Sequence, residues 1–183
     1  RGLRQLFPRS LFIFAAVVGV ALLMTAQGRT TQIIWWSVFL YLGTYHIIRQ
    51  HFGFLRLYQG RARVGAVVAK AETDLLQWGC ATALLLNYSN GWVFDGLGEQ
   101  VWALRLPAWL WWLSAALAVR ALVRLLAMSG GGEGRGLRYL LIVLAVSNFW
   151  LALVWLSPGN IIAAIILVTL FHDLQYLALV WLL

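Results

Sequence analysis

Long apolar stretches that carry almost no charge dominate this chain. Several of them approach about 20 residues, which is the length of helix that crosses the hydrocarbon core of a bilayer. Hydrophobic residues make up 62% of the chain and charged residues only 11%, whereas soluble domains carry about 25% charged residues. Since backbone groups in lipid must bond within their own segment, we predict an all-α, polytopic transmembrane helical bundle.

The apolar stretches divide the chain into six predicted spans within one transmembrane domain, residues 1–183. The spans cover residues 11–26, 33–58, 74–88, 107–128, 137–155 and 161–183. The chain begins at Arg1 rather than at a methionine, so we expect that a further N-terminal segment precedes it. We expect an integral, multi-pass protein of a bacterial inner membrane.

The basic residues set the predicted orientation of the helices. The net charge is +8, and the arginines lie between the apolar segments. They concentrate before span one, after span two and around the loop between spans four and five, which by the positive-inside rule puts both chain ends in the cytoplasm. Topology therefore accounts for the charge, and we expect no nucleic-acid partner. An aromatic belt at the outer interface is predicted from Trp35, Trp36, Trp109, Trp111, Trp112 and Trp155.

All three histidines fall in two polar clusters inside apolar stretches. His46 and His51 lie in the second span beside Arg49 and Gln50, and His172 lies in the sixth span. Ionisable groups within a span are costly, so they need a partner, a metal, a ligand or a water path. The two clusters are therefore the predicted functional site.

Helix geometry predicts that the two clusters meet. His46 follows Ile33, and His172 follows Ile161, by similar distances of about 20 and 17 Å along helices that run the same way. His51 is five positions from His46, about 140° round a regular helix. It is expected lower, level with Glu72 and Asp74.

Four interpretations of the clusters remain open. Imidazole and carboxylate groups bind iron, zinc or manganese, which gives a metal site whose candidate ligands are His46, His51, His172, Asp173, Asp74 and Glu72. Gln50, Gln175 and Tyr176 would orient those ligands. His46 and His172 could instead ligate haem or a chlorophyll-type pigment. The clusters could also relay protons, or form an interhelical polar network in which Arg49 pairs with Asp173.

The stretch His46-Ile-Ile-Arg49-Gln-His51-Phe-Gly-Phe54 and the later Phe171-His172-Asp173 resemble the histidine motifs of a known family. That family is the integral-membrane, iron-dependent β-carotene dioxygenases related to the bacteriorhodopsin-related protein. The resemblance implies that His46, His51 and His172 are iron ligands.

The leading hypothesis is a membrane-embedded, histidine-ligated oxidoreductase that uses iron or another transition metal. It would act on an apolar, lipid-soluble small molecule that membrane lipids deliver laterally, with Arg49, Gln50 and Tyr176 positioning the reacting groups. The alternative is a non-catalytic subunit that joins other membrane subunits in a larger complex. Such a subunit would bind haem, a chlorophyll-type pigment or quinone, or act as a scaffold.

Overall fold

The chain is helical throughout the part that the structure describes. The computed structural model describes residues 18–20, 22–23, 28–98, 101–102, 105–128 and 135–182, and none of these residues lies in a strand. The helices with full bounds are α1 (Arg29–Arg61), α2 (Ala66–Asn90), α3 (Trp92–Leu97), α4 (Trp109–Ala127), α5 (Arg135–Trp150) with a π-helix after it (Leu151–Leu156), and α6 (Ile161–Leu182). The all-α prediction is confirmed for these residues.

Five predicted spans coincide with helices, whereas the first, residues 11–26, lies largely outside the described residues. The main difference in bounds is at α2, which begins at Ala66 rather than at residue 74. The charged residues there do not end the helix, because each has a partner: Lys70 pairs with Asp74 at 3.1 Å, and Glu72 pairs with Arg138. Charge along a helix is tolerated where it is neutralised in this way.

Two compact units divide the chain. The first comprises Arg1–Gly43 and Glu99–Trp102. In it the backbone of Trp102 is held at both polar groups: its N–H donates to Ser37 Oγ at 2.6 Å, and its carbonyl accepts from the Tyr41 hydroxyl. The second unit comprises Thr44–Gly98 and Ala103–Leu183 and contains the apolar core and every candidate site residue discussed below.

Helix α2 organises the second unit. Contacts link residue 72 to 138, 79 to 146 and 87 to 153, so α2 and α5 run parallel. The buried core between α1, α2 and α5 is formed by Leu55, Leu76, Cys80, Ala83, Ile142, Ala145 and Phe149. Cys80 is fully buried there as a small packing residue.

Small polar residues tie α2 to α4. Thr82 Oγ1 lies 2.9 Å from Ser114 Oγ, and Ser114 also donates to the Trp78 carbonyl at 3.1 Å. Side chains of this size let two helix backbones approach closely while their hydroxyls stay bonded. The contact therefore fixes the pairing of α2 with α4 without leaving a polar group unsatisfied.

Asn87 compensates for the irregular backbone of the π-helix. Ser157 N–H reaches back five residues to the Ala152 carbonyl at 2.9 Å, which changes the carbonyl pairing of a regular helix. Asn87 Nδ2 donates to the Leu153 carbonyl at 2.6 Å and to Ser157 Oγ at 2.9 Å, and its Oδ1 accepts from Val93 N–H at 3.2 Å. The side chain is fully buried, and its role is structural.

Gly79 marks the closest approach of α2 to α5. A Cβ at this position would lie 2.8 Å from Val146 Cγ2, and a β-branched side chain cannot rotate away easily. We expect Gly79→Ala to lower the free energy of unfolding by about 1–3 kcal/mol through overpacking. Thermal unfolding in detergent measures this. Gly79→Ala combined with Val146→Ala should recover most of the loss.

Gly53→Ala is the matched control for Gly79→Ala, because a Cβ at this helical glycine meets nothing within 4 Å. Alanine favours helix over glycine by about 1 kcal/mol, so Gly53→Ala should leave stability unchanged or raise it. Equal effects of the two substitutions would contradict the close approach as the reason for Gly79.

Two helical segments have the length and composition of a membrane span: Trp109–Ala127 and Arg135–Leu156. Within their apolar windows only 17% and 22% of residues are buried inside the protein. Their apolar side chains therefore face mostly outwards, unlike those of a helix enclosed in a soluble core.

Candidate functional site

The structure brings together the two histidine clusters that lie 126 positions apart (172 − 46). The rings of His46, on α1, and His172, on α6, have centroids 6.1 Å apart at an interplanar angle of 51°. The ring nitrogen Nε2 of His172 contacts Gln50 Oε1. We call His46, Gln50, His172 and Asp173 the histidine cluster.

Asp173 fixes the protonation pattern of His172. Its Oδ1 lies 2.9 Å from His172 Nδ1, and since a carboxylate only accepts, Nδ1 carries a proton. Nε2 faces the side-chain amide of Gln50. The Gln50 amide offers both an acceptor oxygen and a donor nitrogen, so it can serve Nε2 in either protonation state. The arrangement can exchange a proton or present Nε2 to a ligand.

The histidine cluster is open to the outside of the protein. The His46 side chain is exposed, the side chain of His172 is 19% exposed and that of Asp173 is 60% exposed. The polar residues of the histidine cluster thus lie at the protein surface, in the middle of two apolar helices. A ligand can reach them without a channel through the bundle.

His51 lies apart from the cluster, in the core. Its ring packs against Phe149 at 5.8 Å and stacks on Phe171 at 5.6 Å. Nδ1 donates to the Ile47 carbonyl at 2.8 Å, whereas Nε2 is buried and has no hydrogen-bond partner among the described residues. The expectation that His51 lies level with Glu72 and Asp74 is wrong, because Glu72 meets Gln59, which lies eight positions beyond His51 on α1.

Glu72 and Asp74 also lie away from the histidine cluster. Arg138 Nε donates to both carboxylate oxygens of Glu72, at 2.9 and 3.1 Å. Gln59 Nε2 donates to Glu72 Oε2 at 3.0 Å and to the Ala69 carbonyl at 2.9 Å. Glu72 is fully buried and the Arg138 side chain is 4% exposed. Glu72 therefore holds α1, α2 and α5 together, and Asp74 pairs with Lys70 at the surface.

The expected Arg49–Asp173 pair is not formed. The Arg49 guanidinium lies over the Phe52 ring, 4.7 Å from its centroid, while Asp173 bonds to the neighbouring His172. An adjacent imidazole reaches the carboxylate with less loss of side-chain freedom than a long arginine does. The side chains of Gln175 and Tyr176 lie outside the described residues.

The six candidate metal ligands do not form one preassembled site. Within the described ranges, no three His, Cys, Asp or Glu side chains are grouped as ligands of a single ion. Arg138 and Gln59, which are the partners of Glu72, were not predicted from the sequence. A signal for Arg138 was present, because a lone carboxylate within an apolar helix requires a nearby cation.

Comparison of the chain with protein-family models, with curated proteins and with solved structures gives no match. We therefore infer the function from the geometry of the histidine cluster and from the surface around it.

Proposed function

We propose that the chain is a multi-pass membrane protein with six spans and both ends in the cytoplasm. The outward apolar surface of α4, α5 and the π-helix supports this proposal. Trp109 and Trp155 are 61% and 76% exposed, at the start of α4 and the end of the π-helix. Arg124 and Arg135 lie at the opposite ends of the same helices. Exposed tryptophans at one end and arginines at the other are typical of the two faces of a membrane.

The proposed activity is that of a membrane-embedded oxidoreductase that holds a transition metal, iron by preference, at the histidine cluster. The observation that carries this proposal is the meeting of His46 with His172, whose Nδ1 is bonded to Asp173. A carboxylate on the far nitrogen is the usual support of a metal-binding histidine, because it fixes the tautomer and raises the basicity of the ligating nitrogen.

The spacing of the two rings is compatible with one shared ion. Two metal–nitrogen bonds of about 2.0–2.1 Å, with the radii of two imidazole rings, span roughly 6 Å when nearly linear and about 5 Å at a tetrahedral angle. The centroids are 6.1 Å apart, so a tetrahedral ion would draw the two rings about 1 Å closer. His46 and His172 would hold the ion, while Asp173 would orient His172. A bound transition metal supplies substrate polarisation or oxygen activation.

The remaining residues supply access and positioning. Because the histidine cluster is open at the outer surface of apolar helices, a lipid-soluble substrate would reach it sideways from the bilayer. Gln50 contacts the same His172 nitrogen that would ligate the ion, so its amide must release Nε2 on binding. Tyr176 follows His172 by about one helical turn and stays a proposed positioning residue.

Metal content tests this proposal. Purified protein in neutral detergent is loaded with Fe²⁺, desalted and analysed by plasma mass spectrometry. His46→Ala and His172→Ala should each lower bound metal about tenfold or more, since loss of a residue that merely supports a ligand already costs about 10–100-fold in affinity. Gln50→Ala should keep the metal, since it frees Nε2. Tyr45→Ala, an exposed neighbour of His46, is the matched control. Unchanged metal in both histidine variants would contradict the proposal.

A haem-binding or pigment-binding subunit is the second candidate. The two neighbouring imidazoles of His46 and His172 favour it, since two histidines on different helices are the axial ligands of a bis-histidine haem. The absorption spectrum of protein purified from membranes separates the two candidates. A Soret band that disappears in His172→Ala would support the haem subunit, and a spectrum without one would oppose it.

A further inference from the structure

Two arginines of α1 meet at one aromatic ring beside the histidine cluster. The guanidinium carbons of Arg49 and Arg56 lie 4.7 and 5.2 Å from the centroid of Phe52. Both arginines are exposed, and Phe52 is partly buried. The ring quadrupole attracts each cation, but it does not neutralise either, so two positive charges share one aromatic ring.

The described carboxylates are all committed elsewhere. Glu72 bonds to Arg138, Asp74 to Lys70 and Asp173 to His172. Asp95 faces Arg105 at 3.6 Å. Within the part of the chain given by the structure, Arg49 and Arg56 therefore have no carboxylate partner. Two guanidiniums on one ring, neither with an internal counter-charge, favour an external anion.

The position of this pair indicates what kind of anion binds. Phe52 is six residues beyond His46 on the same helix, a rise of about 9 Å. The surface around the histidine cluster is apolar, because Leu170 and Leu174, which flank His172 on α6, are 53% and 54% exposed. A molecule with its charged end at Phe52 would thus have its apolar part beside the histidine cluster. A small soluble anion has no apolar part and could not extend from Phe52 to the cluster.

We propose that Arg49 and Arg56 bind the phosphate-monoester headgroup of a membrane amphiphile. Each guanidinium offers a planar fork of donors that matches phosphate oxygens, and two forks suit a phosphate better than a carboxylate, which has only two oxygens. One consequence of this proposal rests on the proposed function. If the histidine cluster is catalytic, this amphiphile is its substrate, and the reaction takes place on its apolar part, about 9 Å from the headgroup.

Lipid binding by the full chain tests the proposal. Native mass spectrometry in neutral detergent measures the dissociation constant of dioleoyl phosphatidic acid, with dioleoylglycerol as the uncharged analogue. R49Q/R56Q should weaken phosphatidic acid binding about tenfold or more, because the charge-assisted bonds are lost. Binding of dioleoylglycerol should not change.

The matched control is R120Q/R124Q, which removes the same charge from exposed positions on α4. This variant should keep phosphatidic acid binding within about twofold of the wild type, since surface charges act weakly at a distance. Equal weakening in both double variants would overturn the proposal, as would unchanged binding in R49Q/R56Q. Competition by inorganic phosphate at the same concentration as the lipid would also overturn it, because the occupant would then be a soluble anion.

Metal analysis of the same preparations separates this proposal from the function on which it builds. Metal that persists in His46→Ala and His172→Ala while the arginine pair still selects phosphatidic acid would refute the metal site alone. Metal lost in those variants, with lipid binding indifferent to Arg49 and Arg56, would refute the headgroup site alone.

Discussion

Arg138→Met should lower the free energy of unfolding by about 3–5 kcal/mol, the cost of removing one partner from a buried ion pair. The substitution leaves the Glu72 carboxylate fully buried without its cation. Arg138 Nε contacts both of its oxygens in the wild type, at 2.9 and 3.1 Å. Unfolding by sodium dodecyl sulfate in mixed micelles, followed by tryptophan fluorescence, measures the change.

Lys70→Met is the matched control for Arg138→Met, since it removes the cation that pairs with another carboxylate of α2, Asp74, at the surface. The Lys70 side chain is 71% exposed, so its loss should cost less than about 1 kcal/mol. Glu72→Gln combined with Arg138→Met removes both charges and keeps an acceptor for Gln59, and it should recover most of the loss. If Arg138→Met lowers the free energy of unfolding no more than Lys70→Met does, the unpaired charge of Glu72 is not the reason for the loss.

Phe149→Ala should lower the free energy of unfolding by about 3 kcal/mol, the lower end of the range for such truncations. Phe149 is fully buried and packs edge-on against the His51 ring, with ring centroids 5.8 Å apart. The lower end applies because lipid surrounds the side chains of a separated membrane helix, so the loss comes from packing rather than from transfer out of water.

Leu140→Ala, on the same helix, is the comparison for Phe149→Ala. Leu140 is 52% exposed, and its truncation should change stability by less than about 0.5 kcal/mol, as is usual for surface positions. The same mixed-micelle titration serves both variants. If Phe149→Ala matches Leu140→Ala, the core between α1, α2 and α5 does not contribute as the structure indicates.

Helix positions were largely predictable because they depend on local composition. Long apolar stretches with few charges indicated α4, α5 and α6 nearly to their ends. The start of α2 was placed too late, because the predicted span began at residue 74, where the apolar run begins, and left Lys70 and Glu72 in the segment before it. Whether a charge ends a helix depends on its partner, and the partner of Glu72 lies 66 positions away.

The histidine cluster was predictable in part. Equal rise along two helices that run the same way indicated that His46 and His172 are neighbours, and their rings do meet. The rise along a helix does not define how the helix is rotated about its own axis. Placing His51 in one site with Glu72 and Asp74 required that rotation, and the structure puts His51 against Phe149 and Phe171 instead.

The sequence alone determined an all-helical chain and identified His46, Gln50, His172 and Asp173 as costly groups that need partners. Tertiary structure decided which partners they have. It bonded Asp173 to His172, turned His51 into the core and gave Glu72 to Arg138. The physical reason is that helix formation follows from neighbouring residues, whereas the pairing of buried polar groups follows from how helices distant in sequence are rotated and packed together.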